Sequence, residues 1–339
     1  MMAQRSALVT GATGFVGRRL CERLKREGWR VIAVARRRAP GPWDELVVHE
    51  FGSGPLVLTE RPDAVFHLAG RAHALAERPG EREAYFRVNV TGTKELMEAL
   101  GDDRSVRIVF TSSVKAQGEE TAPEGVNEEA PCRPTTPYGE SKLAAERTLL
   151  TSPFGAQAIV LRLAMVFGEG QKGNLVEMIR AVAKWRFPPI PENGNRRSMV
   201  NVEDVVVALL AAMAAPAKRG GSVYFVAGPR AFSSREIYVA ICHALGRSPP
   251  FWVVPVWALR LAGRAGDLIA ASQGRRFLWD SDKCAKLFGS ACYRPDKAMG
   301  ELGFSPRTKL EAILPAMVRE VLAKRGPLRP APSPVRVVT

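Results

Sequence analysis

The chain has 339 residues, 46% hydrophobic and 24% charged, an ordinary globular balance with length for one large domain or two unequal ones. Its formal net charge of +15 is carried mainly by arginines spread along the chain; this attracts anions in general, and without a groove-reading motif we expect no nucleic-acid role. Five cysteines (Cys21, Cys132, Cys242, Cys284, Cys292) form no CxxC pair, which speaks against a disulfide framework, and His49, His67, His73 and His243 lack zinc spacing, so no metal is expected.

The N-terminal MMAQRSALVT runs into a strand without a signal-peptide apolar core, and a cytoplasmic protein is the expectation. Short apolar runs then alternate with helical patterns, the signature of βαβ units and a parallel sheet. Strands are predicted over 6–10, 30–35, 45–51, 64–69, 106–112 and 158–163. Between the first two, residues 15–28 carry Val16, Leu20 and Leu24 on one helical face and stop at Gly28. NVTGTKELMEALG and YGESKLAAERTLL repeat the helical pattern.

Beyond about residue 165 the rhythm turns irregular, with Pro-Pro steps at 188–189 and 249–250. Residues 1–165 therefore read as a dinucleotide-binding half. Residues 166–325 read as mainly a smaller substrate-binding lobe with some chain returning to the sheet, and 326–339 as a basic, Pro-rich, disordered tail. The apolar stretch 251–272 is interrupted by Pro255, Arg260, Arg264 and Asp267, which rules against an integral membrane span. It reads as an amphipathic helix, core or substrate wall, with docking on a membrane surface as the alternative.

VTGATGFVG places Gly11, Gly14 and Gly17 after the first strand and at the mouth of the first helix. Glycines there permit a tight turn and close approach of backbone to a pyrophosphate, with helix amides and dipole aimed at its charge. Further along, Tyr138 and Lys142 of PYGESKLAAE stand one helical turn apart on one face. An ammonium beside a phenol favours the phenolate, so a lowered tyrosine pKa is expected. Such a pair can move a proton at a carbinol or carbonyl oxygen while a nicotinamide exchanges hydride with its carbon. Ser112 and Ser113 end the fifth strand, at the sheet edge where open α/β folds bind ligands, and a serine there can steady the same oxygen.

The GxxGxxG spacing in TGATGFVG, with HLAG (67–70), NVTGT (89–93), TSSVKAQGE (111–119), PYGESKLAAE (137–146) and RSMVNVEDVVVAL (197–209), resembles the extended short-chain dehydrogenase/reductase superfamily over about residues 6–215. The resemblance implies an α/β, Rossmann-type doubly wound parallel sheet with a smaller C-terminal substrate-binding lobe. It implies Tyr138 as general acid/base, Lys142 as its tuner and the ligand of the nicotinamide ribose, Ser113 on the substrate oxygen, and Asn89 as a structural and proton-relay residue. Gly11, Thr13, Gly14, Phe15, Val16, Gly17, Leu68, Ala69 and Gly70 would line the cofactor. A homodimer through the two helices flanking the Tyr/Lys site is the accompanying expectation.

HLAGRAHAL followed by TSSVKAQGE looks most like bacterial surface-polysaccharide enzymes acting at C4 of UDP-linked acetamido sugars. By that likeness Asn174 and Arg197 contact the nucleotide diphosphate, a guanidinium fork suiting its oxygens, while Arg71 and His73 approach the substrate pocket. Gln117 stands where the family carries a tyrosine, and HEFGSG lacks the aspartate that commonly holds the adenine. The expected activity is reduction of a 4-keto-6-deoxy sugar. A UDP-hexose 4-epimerase with retained NAD is the runner-up, and a hydroxysteroid-type reductase or a non-catalytic dinucleotide-binding protein are the more distant readings.

VIAVARRRAP decides the cofactor expectation. The second strand of such a fold ends beside the adenosine ribose, where an acidic residue normally selects NAD. Here Ala35 is followed by Arg36, so nothing repels a 2′-phosphate and a guanidinium is present to bind one. NADP(H) is favoured over NAD.

Overall fold

The structure is a computed structural model that describes residues 4–72, 80–102, 104–216, 219–273 and 280–323; His73 and the tail at 326–339 lie outside the described residues. Seven parallel strands form the main sheet. In chain order they are β1 (Ser6–Thr10), β2 (Arg30–Ala35), β3 (Glu45–Val48), β4 (Ala64–His67), β5 (Arg107–Ser113) and β6 (Ala158–Leu163), joined by β9 (Ser222–Val226). Their spatial order is β3-β2-β1-β4-β5-β6-β9. The order reverses at β1, which pairs with β2 on one side and β4 on the other, and this opens a crevice at their carboxyl ends. The doubly wound α/β fold is thereby present.

Burial explains the apolar runs. β1 is buried along its whole length and β6 at every position but the last, as expected of strands covered on both faces. One face is covered by α1 (Phe15–Arg26), through Leu20, Cys21 and Leu24, and by α6 (Val202–Ala214), through Val205, Leu209 and Ala212. The other face receives α3 (Gly92–Leu100) and α4 (Pro137–Leu150), through Leu96, Leu100, Ala145 and Leu149.

A second cluster gathers around a three-stranded sheet of β7 (Met165–Phe167), β8 (Arg197–Asn201) and β10 (Ala231–Phe232). Packed on it are α5 (Asn174–Ala183), α7 (Ser234–Ala244) and α11 (Leu310–Ala323), whose Ile179, Ile241 and Leu314 are fully buried. Asp204 of α6 accepts hydrogen bonds from the Arg307 and Thr308 amides and the Thr308 hydroxyl, tying the entry of α11 to the main sheet's helix layer.

Several boundaries differ from the sequence expectation, among them β5, which runs one residue later, and α1, which ends two residues earlier. β3 stops at Val48, its pairing with β2 closed by the His49 amide on the Ala35 carbonyl at 2.9 Å, and β4 stops at His67, where the Ala69 amide turns to donate to Thr10 Oγ1 at 2.9 Å. The helix expected from residue 89 starts earlier, as α2 (Glu81–Phe86), and passes through a π-turn at Arg87–Thr91 before α3. The stretch at 251–272 forms α8 (Val256–Gln273), amphipathic as expected but not wholly core. Leu259, Gly263 and Gly266 bury one face, against α9 (Ser281–Phe288), and the opposite face is exposed. Gly263 admits this approach, since a Cβ there would stand 3.0 Å from Cys284 Sγ.

Candidate active site

The crevice begins with the glycine turn. Gly11 has φ +68, and a Cβ on it would lie 2.9 Å from the Ala69 amide nitrogen and the Leu68 carbonyl carbon, so the turn presses directly on the end of β4. A Cβ on Gly17 would fall 2.2 Å from the Gly11 carbonyl oxygen, so the first turn of α1 sits against the same loop. Gly14 caps α1 without any side-chain bond, leaving the helix terminus open to an anion. Thr13 and Gly14 are exposed, while Phe15, Val16, Leu68 and Ala69 are half-buried around them. These residues fit a dinucleotide pyrophosphate: the cradle is one that side chains would fill.

A buried relay fixes the turn to the next elements. Thr93 Oγ1 donates to the Asn89 carbonyl at 2.7 Å, so it accepts from His67 Nε2 at 3.1 Å. His67 Nδ1, 2.7 Å from Thr10 Oγ1, is then the acceptor, and Thr10 in turn accepts from the Ala69 amide. Burial, with the nearby Lys142 charge, pushes the imidazole down to about 3, so His67 is a neutral strut. Its role was not legible in the sequence; alternation placed it merely as a strand residue.

Asn89 lies in the π-turn and is buried. Its Oδ1 accepts from the Arg71 amide at 2.8 Å, and its Nδ2 donates to the Arg71 carbonyl at 3.2 Å and to Ser141 Oγ at 2.8 Å. Ser141 donates to the Tyr138 carbonyl, so Asn89 clamps the Gly70–Arg71 corner to the turn of α4 that bears the tyrosine. The extra residue of a π-turn aims the side chain there.

Helix α4 begins where its sequence dictates: Pro137 occupies the first turn, and Thr136 Oγ1 caps by accepting from the Gly139 amide at 3.1 Å. Tyr138 thereby stands beside Ser113 and hydrogen-bonds with it, while Ser113 Oγ also accepts from the Lys115 amide at 3.2 Å. Ser112, one residue earlier on β5, buries an Oγ with no hydrogen-bond partner among the described residues. The Tyr85 ring lies 5.8 Å from that of Tyr138.

The electrostatics overturn one expectation. The Tyr138 phenol is not lowered; burial pushes it up to about 12, against the Ser113 hydrogen bond. Lys142 Nζ donates to the Thr111 carbonyl at 2.7 Å and lies 4.2 Å from the centre of the Phe110 ring. Burial lowers its ammonium to about 8, with Glu146 opposing. The Gly70 backbone lies nearby, where a Cβ would stand 3.6 Å from Nζ.

The remaining candidates come from four other segments of the chain. Arg36 is exposed immediately after β2 and has no ion pair among the described residues, and the Gly11 amide donates to the Val34 carbonyl two residues before it. Arg71 Nη2 donates to both Glu81 carboxylate oxygens at 3.0 Å, with its guanidinium 5.7 Å from the Tyr85 ring centre, so the head expected to face substrate is committed to an ion pair. Asn174 is exposed at the first position of α5. Arg197 Nη1 donates to the Lys286 and Gly289 carbonyls at the end of α9. Gln117 does not face a substrate: its Oε1 accepts from Arg162 and its Nε2 donates to the Ala130 carbonyl, within a buried network completed by the Arg162–Glu146 pair at 2.6 Å.

Lys115 was missed by sequence reasoning, although TSSVKAQGE displays it. Its Nζ lies 5.9 Å from the centre of the Tyr138 ring and has no ion pair among the described residues. Burial, then Lys286 and Arg197, hold it below the ordinary lysine range, with Glu119 and Asp282 opposing. A separate cavity of about 500 Å³, lined by Glu128, Ser222, Lys297 and Glu301 among others, contains none of these residues.

A serine, a tyrosine and a lysine at the carboxyl edge of a doubly wound sheet, beside a glycine cradle, define a short-chain dehydrogenase/reductase. The model of the NAD dependent epimerase/dehydratase family matches residues 7–227, and the chain belongs to that family; it is an NAD(P)-dependent enzyme of the extended type. It is similar to the UDP-glucose 4-epimerase of Vibrio cholerae, 30% identical over 275 residues covering 77% of this chain and 82% of that protein. It also resembles the UDP-2-acetamido-2,6-beta-L-arabino-hexul-4-ose reductase of Pseudomonas aeruginosa, 31% identical over 214 residues, 61% of this chain and 49% of that protein. Among solved structures, MoeE5 in complex with UDP-glucuronic acid and NAD superposes with a TM-score of 0.70 at 27% identity, covering 93% of this chain and 98% of that one.

Proposed function

We propose that the protein reduces the 4-keto group of a UDP-linked 6-deoxy sugar, with NADPH as reductant, in the making of a surface polysaccharide. The observation that carries the choice of reductant is Arg36, exposed and without an ion pair among the described residues, standing directly after β2 where a carboxylate would select NAD. The likeness to a hexul-4-ose reductase supports the reaction class.

When bound, the nicotinamide supplies the hydride. Tyr138 supplies the proton: with its phenol pushed up to about 12 it is protonated at neutral pH, the form that a carbonyl oxygen turning into an alkoxide requires. Ser113, which donates to the Tyr138 phenol in this structure, turns its hydroxyl to the substrate oxygen and steadies its developing charge. Lys142 binds the nicotinamide ribose, a role supported by its hold on the Thr111 carbonyl beside Gly70. Arg197, with its orientation set by the α9 carbonyls, and Lys115 supply positive charge for the diphosphate, and Asn174 adds the helix terminus of α5.

The test is to incubate the pure protein with NADPH and a UDP-4-keto-6-deoxy sugar, and separately with UDP-galactose and no added cofactor. NADPH consumption in the first alone is expected. Formation of UDP-glucose in the second, without NADPH consumption in the first, overturns the reading in favour of a 4-epimerase with retained NAD, as the Vibrio relative is named.

A further inference from the structure

The geometry points to α8 and the loop before it as a docking surface for an anionic lipid bilayer. Phe251 is 99% exposed, Trp257 70%, Leu261 61% and Leu268 74%. Trp257, Leu261, Arg264 and Leu268 follow one another at spacings of four, three and four, so they form a single stripe along the helix. Its opposite face is the one that Leu259, Gly263 and Gly266 bury. Phe251 and Trp252 are also exposed, on the loop just before α8, which is anchored by the Val254 amide donating to the Pro189 carbonyl at 2.8 Å.

Charge chooses the occupant. Arg260 and Arg264 are exposed beside or within the apolar stripe and have no ion pair among the described residues. The helix's acidic residue, Asp267, is turned to α9, where it accepts from the Ser281 amide at 3.2 Å. Two copies of this chain meeting through the stripe would bring the Arg264 of each into one contact, with no carboxylate in the stripe to offset them, in a protein of net charge +15. An anionic headgroup layer answers both features: indole and leucine enter the acyl boundary while the guanidinium groups stay with the phosphates. None of the helices among the described residues is long and apolar enough to cross a membrane, so α8 would lie in the interfacial plane. It packs on α9, whose terminal carbonyls hold Arg197, so docking sets the phosphate side of the crevice close to the bilayer.

The full chain is to be sedimented with sucrose-loaded vesicles, half phosphatidylglycerol and half phosphatidylcholine, at about 0.1 M salt. Binding to these and not to pure phosphatidylcholine vesicles is expected. Trp257→Ser with Leu261→Ser, and Arg260→Glu with Arg264→Glu, should each lower partition at least tenfold, an arginine near such a surface being worth about fivefold. Arg23→Glu with Arg26→Glu on α1 makes the same charge change elsewhere and should leave most binding intact. Cofactor binding by every variant verifies folding. The proposal is overturned if the wild type stays in the supernatant, if the α1 variant loses as much binding as the α8 charge variant, or if light scattering shows a dimer that Trp257→Ser with Leu261→Ser converts to monomer.

Discussion

Lys142→Met should make the protein more stable while abolishing turnover. The ammonium is buried and falls from the ordinary lysine value of 10.5 to about 8. At about 1.4 kcal/mol per pH unit, keeping it charged in the fold costs roughly 3 kcal/mol at neutral pH. Methionine fills a similar volume without charge, at the loss of the hydrogen bond to the Thr111 carbonyl, about 1 kcal/mol. A net gain of roughly 2 kcal/mol remains, a rise of several degrees in Tm for a chain of this size. The pH dependence carries the sign. Between pH 8 and 10.5 the unfolded chain holds the proton that the folded chain has released, so wild-type stability rises with pH across that window and the advantage of methionine shrinks. The assay is thermal unfolding of cofactor-free protein at about pH 7 and about pH 10, with turnover measured alongside. A variant less stable than wild type at neutral pH, or an advantage that grows with pH, would refute the reasoning.

Tyr138→Phe should lower kcat by roughly 10²- to 10⁴-fold with cofactor affinity unchanged by fluorescence titration, since only the proton donor is lost. Arg36→Asp should move the kcat/KM preference from NADPH toward NADH; an unchanged ratio would remove Arg36 from the 2′-phosphate. Glu146→Ala strands Arg162, 5% exposed at its side chain, in the core and should cost about 3–5 kcal/mol in urea unfolding. Gly17→Ala places a methyl where the Gly11 carbonyl stands and should cost about 1–3 kcal/mol, with weaker dinucleotide binding in the same preparation.

Much of the architecture follows from local chemistry, and the sequence carries local chemistry fully. Apolar runs such as SALVT and AIVLRL between turn signals suit strands buried on both faces, and Gly11, Gly14 and Gly17 fall at a turn where side chains would collide with backbone. Tyr138 and Lys142 share a face because a helix has 3.6 residues per turn, and Thr136-Pro137 starts that helix. What sequence could not supply depends on partners distant along the chain. Alternation does not foretell that His67 bridges Thr10 and Thr93, nor that Arg162, 45 residues from Gln117, takes it out of the substrate's reach. Periodicity marked 251–272 as amphipathic but could not say which face would be covered; packing of α9 on Gly263 decided that. The same holds for protonation. A lysine one turn from a tyrosine suggests a lowered phenol, yet the fold buries both and gives the ammonium to the Thr111 carbonyl, so desolvation prevails and Tyr138 remains an acid. Sequence by itself determined the glycine turn and the shared helical face of Tyr138 and Lys142, because turns and helices are short-range; only the tertiary structure decided which other side chains stand near them, with what charge and what partners, because burial is a property of everything packed around them.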